Sequence, residues 1–306
     1  MQHYYSLDEI RLHNAWLTIG IFDGVHRGHQ EILRTLVTGA HEKGCPAAVL
    51  TFDPHPAIVL GGRTDFKYLT TLDERAELLE PFGVDVLIIQ TFDRALADQT
   101  AEQFMRRLVQ ILGLRHLVLG YDSALGRGRE ANTTRLAEIG QTLGYTVEVV
   151  PPLKDRDGII SSTRIRAAVA AGKVSAAAAD LGRYFSVTGP VVHGDGRGQA
   201  MGIPTANLQV APIKLIPASG IYATWAWVKG KKYRAATSIG VRPTFTPDES
   251  VVHIEAYLLD FNGDLYGQEV KLEFVEYLRP EKKFPSVKAL VKQIDADIEK
   301  TRQRLA

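Results

Sequence analysis

The hydrophobic pattern of the first half of the chain alternates between two periods. Apolar runs rich in β-branched residues, such as Leu17 to Ile19 and Ala47 to Phe52, are typical of buried strands. A glycine or proline loop follows each run, and apolar residues then recur with helical spacing, as from Ile32 to Val37. Further strands are predicted at 84–89, 117–119 and 146–150, and helices near 73–80, 101–112 and 134–143. Strands that alternate with helices predict an α/β domain whose parallel sheet is covered on both faces.

The second half of the chain has a different pattern. A run of alanines near residues 176–183 ends the helical part, and short segments bounded by Gly, Pro, Asn and Asp follow it. Strands are predicted at 187–192, 221–228, 233–238, 251–258 and 269–274. Turn residues between such strands favour an antiparallel barrel or sandwich. From Ser286 to Ile298 the apolar positions follow a helical stripe, which predicts a terminal helix packed against this β domain.

Length and composition agree with two globular domains, and we place the boundary between residues 182 and 183. The chain has 306 residues and a net charge of +1, with both signs mixed along it, so it lacks the basic footprint of a nucleic-acid-binding protein. A single cysteine, Cys45, excludes an intramolecular disulfide. No apolar run approaches the roughly 20 residues of a membrane-spanning helix. We therefore expect a cytoplasmic protein that binds neither nucleic acid nor membrane.

A glycine turn between the first long strand and its helix is the first candidate site. Gly20 and Gly24 let the backbone approach a ligand closely, and the helix that begins near His29 directs unpaired N–H groups to the same place. His26 and His29 flank Gly28, so both rings can converge on one anion. Either histidine alone is equally well explained as a core or capping residue. The His-x-Gly-His spacing resembles that of the nucleotidylyltransferases, which implies that the two rings steady the phosphates of a nucleoside triphosphate.

Three more segments end at the same predicted edge of the sheet. The loop Asp53-Pro54-His55-Pro56 leaves the second buried strand, and Asp122 follows the strand at 117–119. Because ligands of open α/β sheets bind outside the carboxyl ends of the strands, we expect these loops to surround one cleft. The segment from Ser161 to Arg166 has hydroxyls and two arginines at a predicted helix start. It is explained either by N-capping alone or by an anion site.

Three motifs of the β half carry candidate chemistry. The glycines at 194–198 suit a loop that wraps a polyphosphate, although a plain hairpin loop explains them more simply. Thr205 and Asn207 lie two apart on an extended segment, so their oxygens point the same way and suit Mg²⁺; an ordinary turn-to-strand junction is the alternative. Glu255 faces away from the apolar side of its predicted strand. A carboxylate there usually has no function, but beside a bound hydroxyl it acts as a general base.

The order of these motifs resembles that of the bacterial bifunctional riboflavin kinases/FMN adenylyltransferases, also called FAD synthetases, over residues 20–284. In the first half the resemblance rests on residues 20–29, 51–56, 120–122 with Gly126, and 160–166, and in the second on 194–198, 204–207, 220–223, 240–245, Glu255 and 264–267. It implies a Rossmann-like nucleotidylyltransferase domain over residues 1–182 and a riboflavin kinase β-barrel with a terminal helix over 183–306. It also implies two reactions: riboflavin and ATP give FMN, and FMN and ATP give FAD and pyrophosphate.

The resemblance further implies roles for individual residues. The ATP of the adenylyltransferase would be held by Gly20, Phe22, Asp23, Gly24, His26, His29, Ser161, Ser162, Thr163 and Arg166, with the two histidines taking part in catalysis. The flavin would be held by Asp53, Pro54, His55 and Asp122. The ATP of the kinase would lie against Gly194, Gly196, Gly198, Thr205 and Asn207, of which Thr205 and Asn207 would ligate Mg²⁺ or Mn²⁺. Glu255 would take the proton from the ribityl hydroxyl.

Four positions depart from the pattern of the family. Ser123 stands in place of phenylalanine, Ala131 in place of glycine and Ser238 in place of asparagine, and Pro280 interrupts the stretch after Arg279. Ser123 removes an aromatic face beside the predicted flavin pocket. A riboflavin kinase with impaired or lost adenylyltransferase activity is therefore one alternative, and a non-catalytic regulator that binds flavin or nucleotide is another. The sequence does not indicate an oligomeric state.

Overall fold

The first of two units contains the alternating strands and helices that the sequence predicts. The computed structural model describes residues 1–194, 203–243 and 250–306, and the contacts divide the chain into Met1–Ser162 and Thr163–Ala306. The strands of the first unit are β1 (Gln2–Tyr4), β2 (Trp16–Ile19), β3 (Ala47–Asp53), β4 (Val86–Thr91), β5 (His116–Gly120), β6 (Ala124–Leu125), β7 (Ala131–Asn132), β8 (Thr146–Val150), β9 (Lys154–Asp155) and β10 (Gly158–Ile159). Its helices are α1 (Arg27–Glu42), α2 (Pro56–Gly61), α3 (Leu72–Leu79), α4 (Arg94–Ala97), α5 (Ala101–Leu112) and α6 (Thr133–Leu143), and α7 (Ser162–Ala170) begins at the division.

The main sheet has six parallel strands in the order β1-β4-β3-β2-β5-β8. Neighbouring residues along β3 belong to opposite cores: Leu50 packs in the cluster that contains Leu108 of α5, and Val49 in the cluster that contains Leu33 of α1. Both faces of the sheet are therefore covered, as the uninterrupted apolar runs predict. The strand order reverses between β2 and β5, and open α/β sheets bind ligands at such a switch point.

The second unit is built around a closed antiparallel barrel. Its elements are α8 (Val174–Leu181), β11 (Phe185–Val192), β12 (Ala206–Leu208), β13 (Gly220–Val228), β14 (Lys231–Pro243), β15 (Ser250–Leu258), β16 (Glu269–Arg279) and α9 (Val287–Arg304). The strands close in the order β11-β12-β15-β14-β13-β16. Tyr222 of β13 and Phe274 of β16 are fully buried and meet edge to face, with ring centroids 5.2 Å apart. The prediction of an α/β domain followed by an antiparallel barrel with a terminal helix is thus confirmed, and β14 and β16 are longer than predicted.

The chain from residue 163 onward, which includes α8 and nearly all of α7, belongs to the second unit. Helix α8 contacts β11 and β16 of the barrel, and α9 packs against β13, β14 and β16. The domain boundary between residues 182 and 183 stays a prediction. No helix in the described part of the chain is long and apolar enough to cross a membrane.

Candidate active sites

The turn after β2 brings both histidines together at the start of α1. His26 caps the helix, and its Nδ1 accepts a hydrogen bond from the His29 N–H at 3.3 Å. The two rings are stacked, with centroids 3.6 Å apart and planes 19° from parallel. Since Nδ1 of His26 is the acceptor, the proton of the neutral ring lies on Nε2. The stacked rings therefore lie beside the N–H groups of the first helical turn, where anions are favoured.

Small residues and one aromatic ring shape this histidine pair. A Cβ at Gly28 would lie 3.1 Å from Cε1 and 3.2 Å from Nδ1 of His26, so the absence of a side chain allows the ring to lie there. Phe22 is 2% exposed, and its ring lies near that of His29, with centroids 5.1 Å apart. A Cβ at Gly20 would lie 3.1 Å from the Phe22 ring. Gly20, Phe22 and Gly28 thus determine the shape of the turn.

Asp23 supports the turn from beneath it. Its carboxylate is buried and accepts hydrogen bonds from the N–H groups of Leu69 and Thr70, at 3.1 and 3.0 Å. The hydroxyl of Thr70 in turn accepts a hydrogen bond from the N–H of Gly24 at 3.1 Å. These contacts give Asp23 a structural role, and its grouping with the ATP-binding residues stays a prediction. Sequence reasoning missed the segment at 66–71 because no local motif marks it.

The Ser161 to Arg166 segment lies across the division between the units. Ser162 donates a hydrogen bond from its hydroxyl to the carbonyl of Asp23 at 2.8 Å, which holds Ser162 next to the histidine turn. Thr163 and Arg166 lie on α7. Arg164 pairs with the buried carboxylate of Asp180 at 2.8 Å, which supports the structural explanation for this arginine.

The loop Asp53-Pro54-His55-Pro56 is held by an aromatic cluster. The N–H of His55 donates to the Tyr68 hydroxyl at 2.7 Å, and Nδ1 of His55 accepts from the N–H of Ala57 as the cap of α2. The ring of Phe66 lies 4.3 Å from that of His55 and 5.0 Å from that of Tyr68. The segment that holds Asp23 therefore also holds the loop predicted to bind flavin.

Asp122 lies in the turn that follows β5, and β5 is the parallel neighbour of β2 in the sheet. Its carbonyl accepts a hydrogen bond from Arg129 at 2.9 Å, and the N–H of Ser123 donates to the carbonyl of Gly120 at 3.1 Å. Ala131 of β7, one of the departures from the family pattern, is fully buried in the core cluster that contains Leu108. Because β2 and β5 are parallel neighbours, the histidine turn and the Asp122 turn leave the same edge of the sheet at its switch point.

In the barrel, three oxygen-bearing side chains converge on paired strands. Asn207 of β12 is the register partner of Glu255 of β15, and the Thr205 hydroxyl lies 3.4 Å from Oε2 of Glu255. A side chain at Gly194 would overlap that of Asn207, so this glycine borders the group directly. The hydroxyl, amide and carboxylate oxygens are hard donors of the kind that Mg²⁺ accepts, so the residues fit this metal. Gly196 and Gly198 lie outside the described residues.

Two cavities of the barrel unit flank this group. The larger, of about 310 Å³, is lined by β-strand residues and by apolar residues of α9; its lining includes Ile203, Thr205, Ile221, Ser238, Glu255, Tyr257, Phe284, Leu290 and Ile294. The smaller, of about 260 Å³, is lined by Pro204, Thr205, Tyr257, Phe261, Asp264, Tyr266 and neighbouring residues. Thr205 and Tyr257 line both, so the cavities meet at these two side chains.

A buried ion pair holds α9 against the larger cavity. Arg279 of β16 donates from Nε and Nη2 to the carboxylate of Asp297 at distances of 2.6 to 3.0 Å, and both residues line the cavity. Asp297 is 3% exposed and also accepts a hydrogen bond from Gln293. Sequence reasoning missed this pair, because its partners are 18 residues apart and neither lies in a recognised motif.

Comparison with known proteins assigns a family to each half of the chain. The family model described as FAD synthetase matches residues 8–164, and that described as riboflavin kinase matches residues 181–305. A bifunctional riboflavin kinase/FMN adenylyltransferase of Listeria monocytogenes is 36% identical over 303 residues, which span 99% of this chain and 96% of the relative. The Bacillus subtilis protein of the same name is 37% identical over 286 residues, 92% of this chain and 89% of the relative.

A solved structure shares the fold over nearly the whole chain. It is the crystal structure of a Streptococcus pneumoniae chain described as a macrolide-efflux protein, with a TM-score of 0.92 and 34% identity over 98% of both chains. That description differs from the names of the curated relatives, but this structure, like those relatives, matches nearly the full length of the chain. With both family models and full-length relatives in agreement, the chain belongs to the family of bifunctional riboflavin kinases/FMN adenylyltransferases.

Proposed function

We infer that the chain catalyses both reactions for which its family is named. It is a transferase that uses ATP to convert riboflavin to FMN and then FMN to FAD, with release of pyrophosphate in the second step. The observation that carries this inference is the presence of two separate groups suited to phosphate. One is the stacked histidine pair at the start of α1, and the other is the Thr205, Asn207 and Glu255 group of the barrel.

For the adenylyltransferase we propose that ATP lies over the histidine turn. The proposed contacts are Gly20, Phe22, Asp23, Gly24, His26, His29, Ser161, Ser162, Thr163 and Arg166. A phosphate oxygen of FMN attacks the α-phosphorus, a new P–O bond forms, and the bond to the β-phosphate oxygen breaks as pyrophosphate leaves. His26 and His29 donate ring N–H hydrogen bonds to the phosphate oxygens, and the helix N–H groups stabilise the charge that develops there. No covalent enzyme intermediate is required, so alignment of the two substrates supplies much of the rate.

The flavin of this reaction is proposed to lie against Asp53, Pro54, His55 and Asp122. The loop that contains His55 packs on the rings of Phe66 and Tyr68. It therefore has aromatic neighbours although Ser123 provides none. This support favours retention of adenylyltransferase activity over its loss.

For the kinase we propose that riboflavin occupies the larger cavity and ATP the smaller. Glu255 lines the larger cavity, where it takes the proton of the ribityl hydroxyl as that oxygen attacks the γ-phosphorus and ADP leaves. Thr205 and Asn207, with Gly194, Gly196 and Gly198, are proposed to hold the phosphates and Mg²⁺ or Mn²⁺. The metal, when bound, neutralises phosphate charge. Because Thr205 lines both cavities, it lies where the two substrates must meet.

We further propose that the adenylyltransferase domain spans residues 1–182 and the kinase domain residues 183–306, and that the protein works in the cytoplasm. The change in hydrophobic pattern near residue 183 supports the boundary. Limited proteolysis followed by mass spectrometry tests it. Cleavage near residue 183 into two fragments supports the proposal. Protection near residue 183, with cleavage elsewhere, opposes it.

The decisive experiment follows the flavins themselves. The purified chain is incubated with riboflavin, ATP and Mg²⁺, and flavins are separated by liquid chromatography at successive times. We expect FMN first and FAD afterwards, with pyrophosphate released in step with FAD. FMN without FAD, also when FMN is supplied directly, would support a kinase that has lost adenylyltransferase activity. Formation of neither product would refute the inference and favour a non-catalytic flavin-binding regulator.

A further inference from the structure

Arg75 of α3 is a buried cation that no predicted role explains. It is 1% exposed and is among the largest fully buried side chains. Burial lowers the pKa of its guanidinium, while Asp23, Tyr68 and Asp53 oppose that shift electrostatically. An arginine stays protonated in proteins, so a positive charge is buried here. Its Nε is also buried and has no hydrogen-bond partner among the described residues.

Such an arrangement does not favour stability. A buried N–H without a partner costs about 1–3 kcal/mol, and well-packed apolar residues often replace buried charges without loss. The position of Arg75 therefore calls for an explanation beyond packing. Its contacts provide one, because they lead to two different loops.

On one side Arg75 reaches the histidine turn. Its Nη1 donates a hydrogen bond to the Thr51 hydroxyl at 3.2 Å, and that hydroxyl donates to the carbonyl of Ile21 at 3.1 Å. Thr51 is fully buried. The guanidinium is thus connected through one hydroxyl to the backbone of the turn that leads to His26.

On the other side Arg75 reaches the flavin loop. The carbon of its guanidinium lies 5.8 Å from the centroid of the Tyr68 ring, within the range of a cation–π contact. The hydroxyl of Tyr68 accepts the hydrogen bond from the N–H of His55 at 2.7 Å. Burial raises the pKa of Tyr68, which keeps this hydroxyl neutral. One cation is therefore in contact with the supports of both loops.

We propose that Arg75 is a positioning residue for adenylyl transfer, which fixes the histidine turn and the Asp53–Pro56 loop relative to each other. This inference rests on the proposed function, in which one loop holds ATP and the other FMN. Arg75 acts through Thr51 and Tyr68. Transfer between two bound substrates depends on their alignment, and a displacement of about 1 Å costs about 100-fold in rate. Loss of Arg75 thus lowers kcat for FAD formation more than it raises KM for either substrate.

The test compares Arg75→Met, Thr51→Val and the double variant in the full chain. For Arg75→Met we expect kcat with FMN and ATP to fall by roughly 10-fold to 100-fold, with KM values changed less than about threefold. Thr51→Val lowers kcat in the same direction, and the double variant is no slower than the slower single variant, because both changes break one connection. Arg135→Met, which removes an exposed cation of α6 paired with Glu138, is the matched control and keeps the normal rate.

The outcomes separate this inference from the proposed function. If the unchanged chain makes no FAD, the proposed function fails. If the unchanged chain makes FAD and both single variants keep its kcat, or if their effects multiply, the positioning role is overturned. A loss of Tm with unchanged kcat per folded molecule also overturns it. If Arg75→Met does not fold, Thr51→Val decides alone, since a normal kcat in that variant contradicts the connection.

Discussion

The two candidate sites both suit phosphate but are built from different side chains and are supported in different ways. In the first unit the loops proposed to bind ligands lie at strand ends, and buried polar contacts such as that of Asp23 with Thr70 hold them in place. In the barrel, Asn207 and Glu255 lie within paired strands, so strand register sets their separation. A loop needs support from elsewhere in the chain, whereas a strand residue is placed by its neighbours. The first site is therefore expected to be the more sensitive to substitutions outside its ligand contacts.

The largest effects are expected from two substitutions, one in each site, each of which should lower one reaction and spare the other. His29→Ala should lower FAD formation and leave riboflavin phosphorylation unchanged, while Glu255→Gln should do the reverse. For Glu255→Gln we expect the loss typical of a general base, about 100-fold to 10,000-fold, and for His29→Ala the loss typical of one electrostatic donor, about 100-fold to 1,000-fold. Both rates are measured on each variant by flavin chromatography.

Each of the two test variants has a matched control at an exposed position of its own unit. His41→Ala alters an exposed histidine of α1 that pairs with Asp85, and Glu269→Gln alters an exposed carboxylate of β16. Both controls should keep both rates. If either test variant lowers both reactions equally, the two sites are not independent and the comparison is wrong.

The next largest effect tests the one part of the barrel site that register does not place. Arg279→Met leaves the buried Asp297 without its partner, which costs about 3–5 kcal/mol, and it loosens α9 at the larger cavity. We expect a lower Tm for the barrel unit and a higher KM for riboflavin. The control is Arg302, which lies on the same helix as Asp297 and forms an exposed ion pair with Asp260. Arg302→Met should change neither the Tm nor the KM measurably. Equal effects of the two variants would show that burial of the pair has no importance.

A smaller effect is expected from crowding the histidine pair. In Gly28→Ala the new methyl lies 3.1 Å from the His26 ring, so the ring must shift by a few tenths of an ångström. We expect a several-fold fall in FAD formation, with no change in the kinase rate. Gly61→Ala is the control, because its methyl would meet only the Arg63 side chain at an ordinary 3.6 Å. A normal FAD rate in Gly28→Ala would mean that the geometry of the stack does not limit transfer.

The smallest effect concerns alkaline stability. Burial raises the pKa of Tyr145 from about 10 to about 12, and its hydroxyl donates to the carbonyl of Leu136. Because the folded pKa is the higher one, the neutral phenol stabilises the first unit fully below about pH 10, and this contribution is lost as the pH rises through 12. Tyr145→Phe should therefore have a lower Tm near neutral pH but a shallower fall of Tm above about pH 10. Parallel curves for the two proteins would contradict this.

Local signals account for what the sequence predicted correctly. The strand, glycine turn and helix around His26 follow from a β-branched run, two glycines and helical spacing within about twenty residues. Thr205 and Asn207 could be assigned to one face because extended chain alternates regularly. The same regularity placed Glu255 on the polar side of its strand. Each of these inferences needed only neighbours along the chain.

Contacts between distant segments account for what the sequence did not reveal. Asp23 and Thr70 are 47 residues apart, and Thr205 and Glu255 are 50 apart, so no local pattern joins them. Arg75 lies on a short helix, where an arginine is usually exposed, and nothing in its neighbourhood signals burial. The sequence therefore revealed the candidate ligand residues of the first site but not the residues that support them.

The open sheet and the closed barrel differ in one further respect, which concerns self-association. A closed barrel has no edge strand, whereas the described sheet ends at β1 and β8, whose outer backbone groups can pair with another chain. Strand β1 has only three residues, which limits such pairing. Strand β8 has five, with the apolar Val149 44% exposed and the charged Glu148 next to it. Aggregation of partly unfolded chains should therefore begin at β8, and replacing Glu148 with a neutral residue should accelerate it.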